Sequence, residues 1–399
     1  MKRLHFDDQQ CTPDFLQPEL LHAKDTLARE EHAFRNERLQ GWKQKFTGSM
    51  KFASRWVRAG QTLAGVQVAN DAGVAGNDVE ALEKIREFWK SFWSHAQAMS
   101  PPTDDIIQLL QQHTVAAPLT ERPPSSVELM ATATDMRGSA GADGWSGDDL
   151  SGLPPQVWEL FSLLIERWLR VAQLPKILLE SRTVFLVKPN KVKDGCIRAS
   201  DCRPITICSA WWRLLSSTWI HMGSVQSWVR EVLHPDVNYG PGCDAQVAAG
   251  RLLHEYSKQG FLASLDYEKC YDLLRPRASA ALLQQAGFPV AMTRLCQLMW
   301  CNSKRWLQWG QHVSALPMST YEMALPQGDP MGPLLCGLWL SAGIRWIFQR
   351  IPTATVQMMV FIDDRTFCAH SANTLLEWIG QWQNWSIWLG SVRAQAKFR

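Results

Sequence analysis

The stretch that decides the fold is Met359-Val360-Phe361-Ile362-Asp363-Asp364. It lies inside a longer run in which Thr355 to Ile362 and Thr366 to Ala369 are rich in apolar and β-branched residues. The pattern predicts two strands joined by a tight hairpin with the acids at its turn. Adjacent carboxylates at the tip of apolar strands repel each other, which raises one pKa or recruits a cation. Taken alone, the pair also reads as an ordinary polar turn.

Upstream, Phe261 to Leu265 is a short apolar run that predicts a buried strand ending at Asp266. If that strand neighbours the hairpin, the strand ends converge. The result is an oxygen-rich site for Mg²⁺ ions of the kind used in phosphoryl transfer. Between the two lies Leu325-Pro326-Gln327-Gly328-Asp329-Pro330-Met331-Gly332-Pro333, dense in turn formers and followed by a helical pattern from Leu334 to Arg350. A glycine in such a loop lets the backbone approach a ligand closely.

Three runs in this order resemble the palm motifs of reverse transcriptases, most nearly those of the non-LTR retrotransposon type. They are Ser264-Leu265-Asp266-Tyr267-Glu268-Lys269-Cys270-Tyr271-Asp272, then Pro326-Gln327-Gly328-Asp329-Pro330, then Phe361-Ile362-Asp363-Asp364. Further segments are similar to that family's fingers. Ala140-Gly141-Ala142-Asp143-Gly144-Trp145 is similar to its "PGPDG" segment. Phe185-Leu186-Val187-Lys188-Pro189 and Asp201-Cys202-Arg203-Pro204-Ile205-Thr206 are similar to its "IPK" and "YRPIS" motifs. Asn238 to Gly242 with Asp244-Ala245 resembles the segment before the first palm strand, and Leu389-Gly390 through Lys397 resembles the last strand motif. The likeness covers residues 80 to 399.

The resemblance implies an α+β right-hand polymerase. It would have fingers, a palm with a split βαβ sheet, and a helical N-terminal extension. The boundaries read along the chain are 1–125 for the extension and linker, 126–259 for the fingers and 260–399 for the palm. No thumb is expected, since Arg399 follows directly on the last motif, so extension by the chain is expected to be weak and distributive, or none. The implied activity is RNA-directed DNA synthesis. Its partners would be an RNA template, a DNA primer and deoxynucleoside triphosphates, and its cofactors two Mg²⁺ (or Mn²⁺) ions.

Residue by residue, the resemblance assigns Asp266 and Asp363 as metal ligands and Asp364 as their electrostatic support. Tyr271 falls where the family places an aromatic gate against a ribose 2′-hydroxyl. Gln327 and Gly328 would approach the nucleotide and template backbone. Lys188 and Arg203 would clamp the triphosphate, and Lys397 would be a general acid for pyrophosphate. Each has a plainer reading: Lys188 as a solvated charge, Arg203 as a structural ion-pair partner, Tyr271 as a core aromatic. The chain departs from the family pattern at Gly332, where Ser is usual, at Cys270, where Ala is common, and near Ala394, where the family has Asn. No metal ligand is lost.

Two other functions stay open at this level. A viral-type RNA-dependent RNA polymerase is one; Asp272 supplies its D-x5-D spacing, but Ile362 and Tyr271 argue against it. The other is a catalytically incompetent retroelement remnant that binds nucleic acid.

The 399 residues, 46% hydrophobic and 20% charged, describe a globular chain with length for several domains. A net charge of +3 excludes wrapping of nucleic acid by bulk charge, so any polyanion site is a local patch. The ten cysteines include no C-x-x-C pair, which points to reduced thiols and an intracellular, nuclear or cytoplasmic setting. No secretory signal or membrane span is expected, and no protein partner is inferable. Residues 19–60 read as charged helix, and Asp78 as the cap of a helix to about Met99. Pro101 to Pro124 reads as a loop-rich linker, and 189–201 as a polar loop. Ala210 to Trp228 reads as one helix, Arg305 to Val313 as strand around Gly310, and Ser391 onward as a last strand. Trp378, Trp382, Trp385 and Trp388 share one helix stripe that predicts core packing.

Overall fold

The computed structural model describes Arg29 and residues 66–71, 73–99, 101–188, 191–238, 254, 260–267, 269–319, 325–351, 356–361, 364–388 and 394–398. The helix expected over 19–60 therefore lies outside the described residues apart from Arg29. Residues Gln67–Arg399 make one unit. It opens with a small hairpin, β1 (Gln67–Asn70) and β2 (Gly73–Val74). Helix α1 (Asp78–Met99) follows. Its cap is Asn77 and not Asp78: Asn77 Oδ1 accepts from the Glu80 amide at 2.9 Å. Leu82, Ile85 and Trp89 form its buried stripe.

The proline-rich stretch that follows is not all linker. Helix α2 (Thr103–His113) begins after Pro102, with Asp104 and Asp105 in its first turn, where the helix dipole favours acids. It buries Ile106 and Leu110 in the main core. Capping boxes start α3 (Ser126–Asp135, from Ser125 and Glu128) and the short α4 (Gly147–Ser151, from Ser146 and Asp149). Helix α5 (Pro155–Val171) takes proline at its first turn.

Strand β3 (Glu180–Val187) is followed by β4 (Cys196–Arg198) and β5 (Cys202–Ile207). β4 lies inside the expected polar loop and is held there by parallel pairing with β1. The single helix expected over 210–228 is two, α6 (Ala210–His221) and α7 (Gly223–Val232), because Met222 between them is extended at φ −60°, ψ 131°. β6 (Val237–Asn238) and β7 (Phe261–Tyr267) lead to α8 (Cys270–Leu273), α9 (Pro276–Gln285) and α10 (Val290–Asn302). α10 is missed from sequence because Thr293 and Cys296 sit in its buried stripe while Val290 is exposed, which blurs the period. Then come β8 (Lys304–Trp309), β9 (His312–Val313) and β10 (Met318–Ser319). β8 and β9 form a hairpin, not one strand, with Gly310 at φ +55° in the turn. Helix α11 (Gly332–Phe348), β11 (Val356–Phe361), β12 (Asp364–Ala369), α12 (Ala372–Trp388) and β13 (Ala394–Phe398) complete the order.

One five-stranded sheet runs β13-β7-β12-β11-β6. A second runs β10-β8-β3-β5 with β9 on β8, so strands from 180–207 and 304–319 share it. Strands β7 and β11 show period-2 burial, with Ala263 and Leu265, then Val356, Met358 and Val360, buried, while β12 between them buries Phe367, Cys368 and Ala369 in succession. Phe367 on β12 meets the rings of Trp378 and Trp382 at 6.2 and 5.9 Å, which places α12 on that face. Trp378, Trp382 and Trp385 are fully buried, as the stripe predicts, and Trp388 at its end is partly buried against the core. Among the described residues no helix is long and apolar enough to cross a membrane, and no disulfide is formed.

Candidate active site

The acids gather at one end of the first sheet. β7 and β12 run antiparallel, and their last registered pair is Leu265 with Arg365. Asp266 and Asp364 each stand one residue beyond it, at the same end of adjacent strands, a separation of about 5 Å between backbones. On the other side Phe361 pairs with Asp364 and closes the turn. The turn residues Ile362 and Asp363 lie outside the described residues, as do the side chains of Asp266 and Asp364. The alternating burial along β7 holds this register, since a one-residue slip would turn Ala263 and Leu265 out of the core. Carboxylate oxygens in such a set are the donors that hard divalent cations prefer. Among the described residues no group of three His, Cys, Asp or Glu side chains is arranged to hold a metal ion.

β13 lies on the far edge of β7. Gln395 stands opposite Asp266 and Lys397 opposite Ser264, two residues away along the strand. Lys397 thus belongs to the acid-bearing sheet.

The loop that begins at Leu325 is tied down on several sides. Leu325 N donates to Leu274 O at 3.2 Å, and Thr206 N donates to Gln327 O at 2.7 Å. Asp329 is buried. Its Oδ2 accepts from the indoles of Trp212 (2.8 Å) and Trp300 (2.9 Å), and its Oδ1 accepts from the Met331 amide (2.9 Å). Burial holds this carboxyl above its ordinary pKa, while the indole and amide donors pull the other way. Gly328 is at φ +127°, and a Cβ there would stand 2.5 Å from the Thr206 carbonyl oxygen. The close approach that glycine permits is therefore to strand β5 of the chain itself. Gly328→Ala is expected to destabilise the protein by about 2–4 kcal/mol through the strained φ and the clash. Urea denaturation of wild type and variant checks this; equal midpoints would contradict it.

The turn after β7 collects charges and rings. Tyr271, on α8, is half-buried against the core, and a Cβ on Gly332 would lie 3.1 Å from its Cε1. The departure at Gly332 is thus one of space: it leaves room for the Tyr271 ring. Asp272 is buried, and burial pushes its carboxyl up from 3.8 to about 7 against the pull of Arg305 and Lys269. The guanidinium of Arg305 is itself lowered to about 10 by burial. Lys188 acts on the same groups: with Lys269 it opposes the rise of the Cys202 thiol, which burial and Asp201 push up to about 12. Lys188 at the end of β3 and Asp272 on α8 therefore lie in one charged neighbourhood. Arg203, on β5 opposite Leu186, is exposed.

Asp272 gives a pH prediction. Its folded pKa lies above the unfolded 3.8, so between 3.8 and about 7 the folded chain holds more protons than the unfolded. Its contribution to stability is thus greatest below that window and is lost as pH rises through it. Asp272→Asn is expected to flatten stability against pH there, measured by denaturation at a series of pH values. An unchanged slope would contradict the assignment.

Sequence reading missed Lys269 and Asp329 and gave Asp272 only a spacing. The signal present was position: all three sit within the motif runs, but nothing in one sequence marks an acid as buried.

A family model described as "Reverse transcriptase (RNA-dependent DNA polymerase)" matches residues 188–398, slightly more than half of the chain. The match takes in both acid-bearing strands, the loop at 325–331 and strand β13. No curated protein matches the chain.

Proposed function

Because the chain belongs to the reverse transcriptase family and is an RNA-directed DNA polymerase, we propose that it extends a DNA primer on an RNA template by two-ion nucleotidyl transfer, as an enzyme of the non-LTR retrotransposon type. The observation that carries this reading is the register that brings Asp266 level with Asp364 beside the turn holding Asp363.

The acid-bearing sheet serves as the palm and the β3–β5–β8 sheet as the fingers. On this reading Lys304 to Ser319, within 260–399, adds strands to the finger sheet. Asp266 and Asp363 would hold the ions, with Asp364 adding negative charge. When bound, Mg²⁺ or Mn²⁺ in such a pair favours the primer 3′-alkoxide and neutralises the triphosphate. Asp266 and Asp363 fix where that reaction occurs because both belong to hydrogen-bonded strands or the turn between them. Lys188 and Arg203, brought in on β3 and β5, supply cations for the triphosphate oxygens. Gln327 would border nucleotide and template from the pinned loop, which Gly328 seats against strand β5. Lys397, two residues along β13 from the level of Asp266, would give a proton to departing pyrophosphate. Tyr271 excludes the ribose 2′-hydroxyl. The burial of Asp272 supports this over the RNA polymerase reading, because a carboxyl enclosed beside Arg305 is poorly placed to accept from a ribose.

Divalent-ion binding tests the site. Titration calorimetry with Mg²⁺ and Mn²⁺ should show binding in wild type that is lost in Asp363→Asn. Identical isotherms would refute the ligand assignment.

A further inference from the structure

We propose that helix α1 is a working part of the nucleotide site: the rings of Phe88, Trp89 and Phe92 hold the ammonium of Lys269 and thereby fix the turn joining Asp266 to Tyr271. This rests on the polymerase reading above. Lys269 Nζ stands 4.8 Å from the ring centre of Phe88, 4.9 Å from that of Trp89 and 4.6 Å from that of Phe92. All three lie within the range at which a cation is attracted to a ring face. The same residue is left-handed, at φ 58° and ψ 47°, just before α8.

Among the described residues only two other non-glycines have positive φ. Ala172 ends α5, and Asp194 precedes Gly195 in a polar turn; both are ordinary places for that conformation. Lys269 is different. It stands three residues after Asp266 and two before Tyr271. A left-handed backbone on a bulky residue persists where its surroundings over-determine it, and such positions cluster at functional sites. Here the ring cage holds its side chain and the Asp272 amide donates to its carbonyl at 3.0 Å.

The cage is also anchored away from the turn. Trp89 is fully buried and its ring lies 6.2 Å from that of Phe185 on β3. Helix α1 therefore grips a finger strand and the turn after β7 together. It lies outside the segment matched by the family model, so its role does not come with that match. Lys269, Phe88 and Phe92 are positioning residues: the geometry assigns them no contact with reacting atoms.

The test uses the full chain with Lys269→Met, Lys269→Arg and the double variant Phe88→Leu/Phe92→Leu. Single dTTP incorporation on poly(rA)/oligo(dT) gives KM and kcat, alongside primer–template Kd and Tm. Lys269→Met should raise KM for dTTP roughly tenfold, the size of losing one desolvated cation–ring contact. Its kcat and primer–template Kd should stay near wild type. Lys269→Arg should restore most of the affinity. The ring variant should reproduce the Lys269→Met effect and add nothing to it when combined. In parallel, reductive methylation with ¹³C-formaldehyde reads the cage without activity. The dimethyl-lysine signal absent from Lys269→Arg should be shifted upfield by ring currents, and should move back in the ring variant. Wild-type KM in Lys269→Met, or a fall in Tm alone, makes the cage mere packing and overturns the proposal. An unshifted resonance overturns the cage whatever the activity. A shifted resonance in a wild-type chain that incorporates no nucleotide refutes the polymerase reading instead, and the KM claim falls with it.

Discussion

Replacing Asp266 or Asp363 by asparagine is expected to lower nucleotide incorporation by about a thousandfold or more, equivalent to ~4 kcal/mol of transition-state stabilisation. The substitution is nearly isosteric. It leaves the β7 ladder to β12 and β13 intact, because backbone groups make that ladder. What it removes is the formal charge and one of the oxygens that a hard cation requires. The loss should therefore fall on the chemical step while the fold and its thermal midpoint stay near wild type. Asp364→Asn should cost less, since the proposal has Asp364, at the first position of β12, add charge and hold no ion. Rapid-quench measurement of a single dTTP addition checks the order. Asp266→Asn within tenfold of wild type, or Asp364→Asn more damaged than either partner, would refute the assignment.

The second large effect is on sugar choice. Tyr271→Ala should admit ribonucleotides, shrinking the preference for dTTP over UTP by on the order of a hundredfold, since steric overlap worth about 3 kcal/mol suffices for that ratio. The structure makes the expectation more specific. The ring is half-buried, and the room for it beside α11 exists because Gly332 lacks a Cβ. Truncation removes the ring but leaves the β7 strand and its acid in place. Metal binding should therefore be unchanged while discrimination collapses. A variant with wild-type discrimination would return Tyr271 to the core.

Much of this architecture is legible in the sequence. The hairpin around Asp363-Asp364, the strand ending near Asp266 and the tryptophan stripe of α12 all follow from periodicity, because each element buries one face against one neighbour. The elements misread are those whose local signals compete with tertiary contacts. β4 is a strand only because β1 lies beside it. Helix α2 sits among prolines that dominate composition. The break at Met222 has no breaker residue before it, only an extended backbone that both flanking helices accept. At the site, residue type and order identify the acids, but the partners of each loop are invisible. Gly328 reads as an approach to ligand, and the structure puts Thr206 there. Lys269 reads as one charge in a motif, and three rings from a helix some 180 residues upstream surround it.

Primer extension on poly(rA)/oligo(dT) with Mg²⁺ tests the central claim most directly, with dTTP and UTP offered separately to wild type and to Asp363→Asn. The account predicts template-dependent addition of dTTP by wild type, strong rejection of UTP, and no addition by Asp363→Asn. Preference for UTP would contradict it in favour of an RNA polymerase, and no incorporation of either nucleotide by a folded wild-type chain would contradict it in favour of a catalytically silent nucleic-acid-binding remnant.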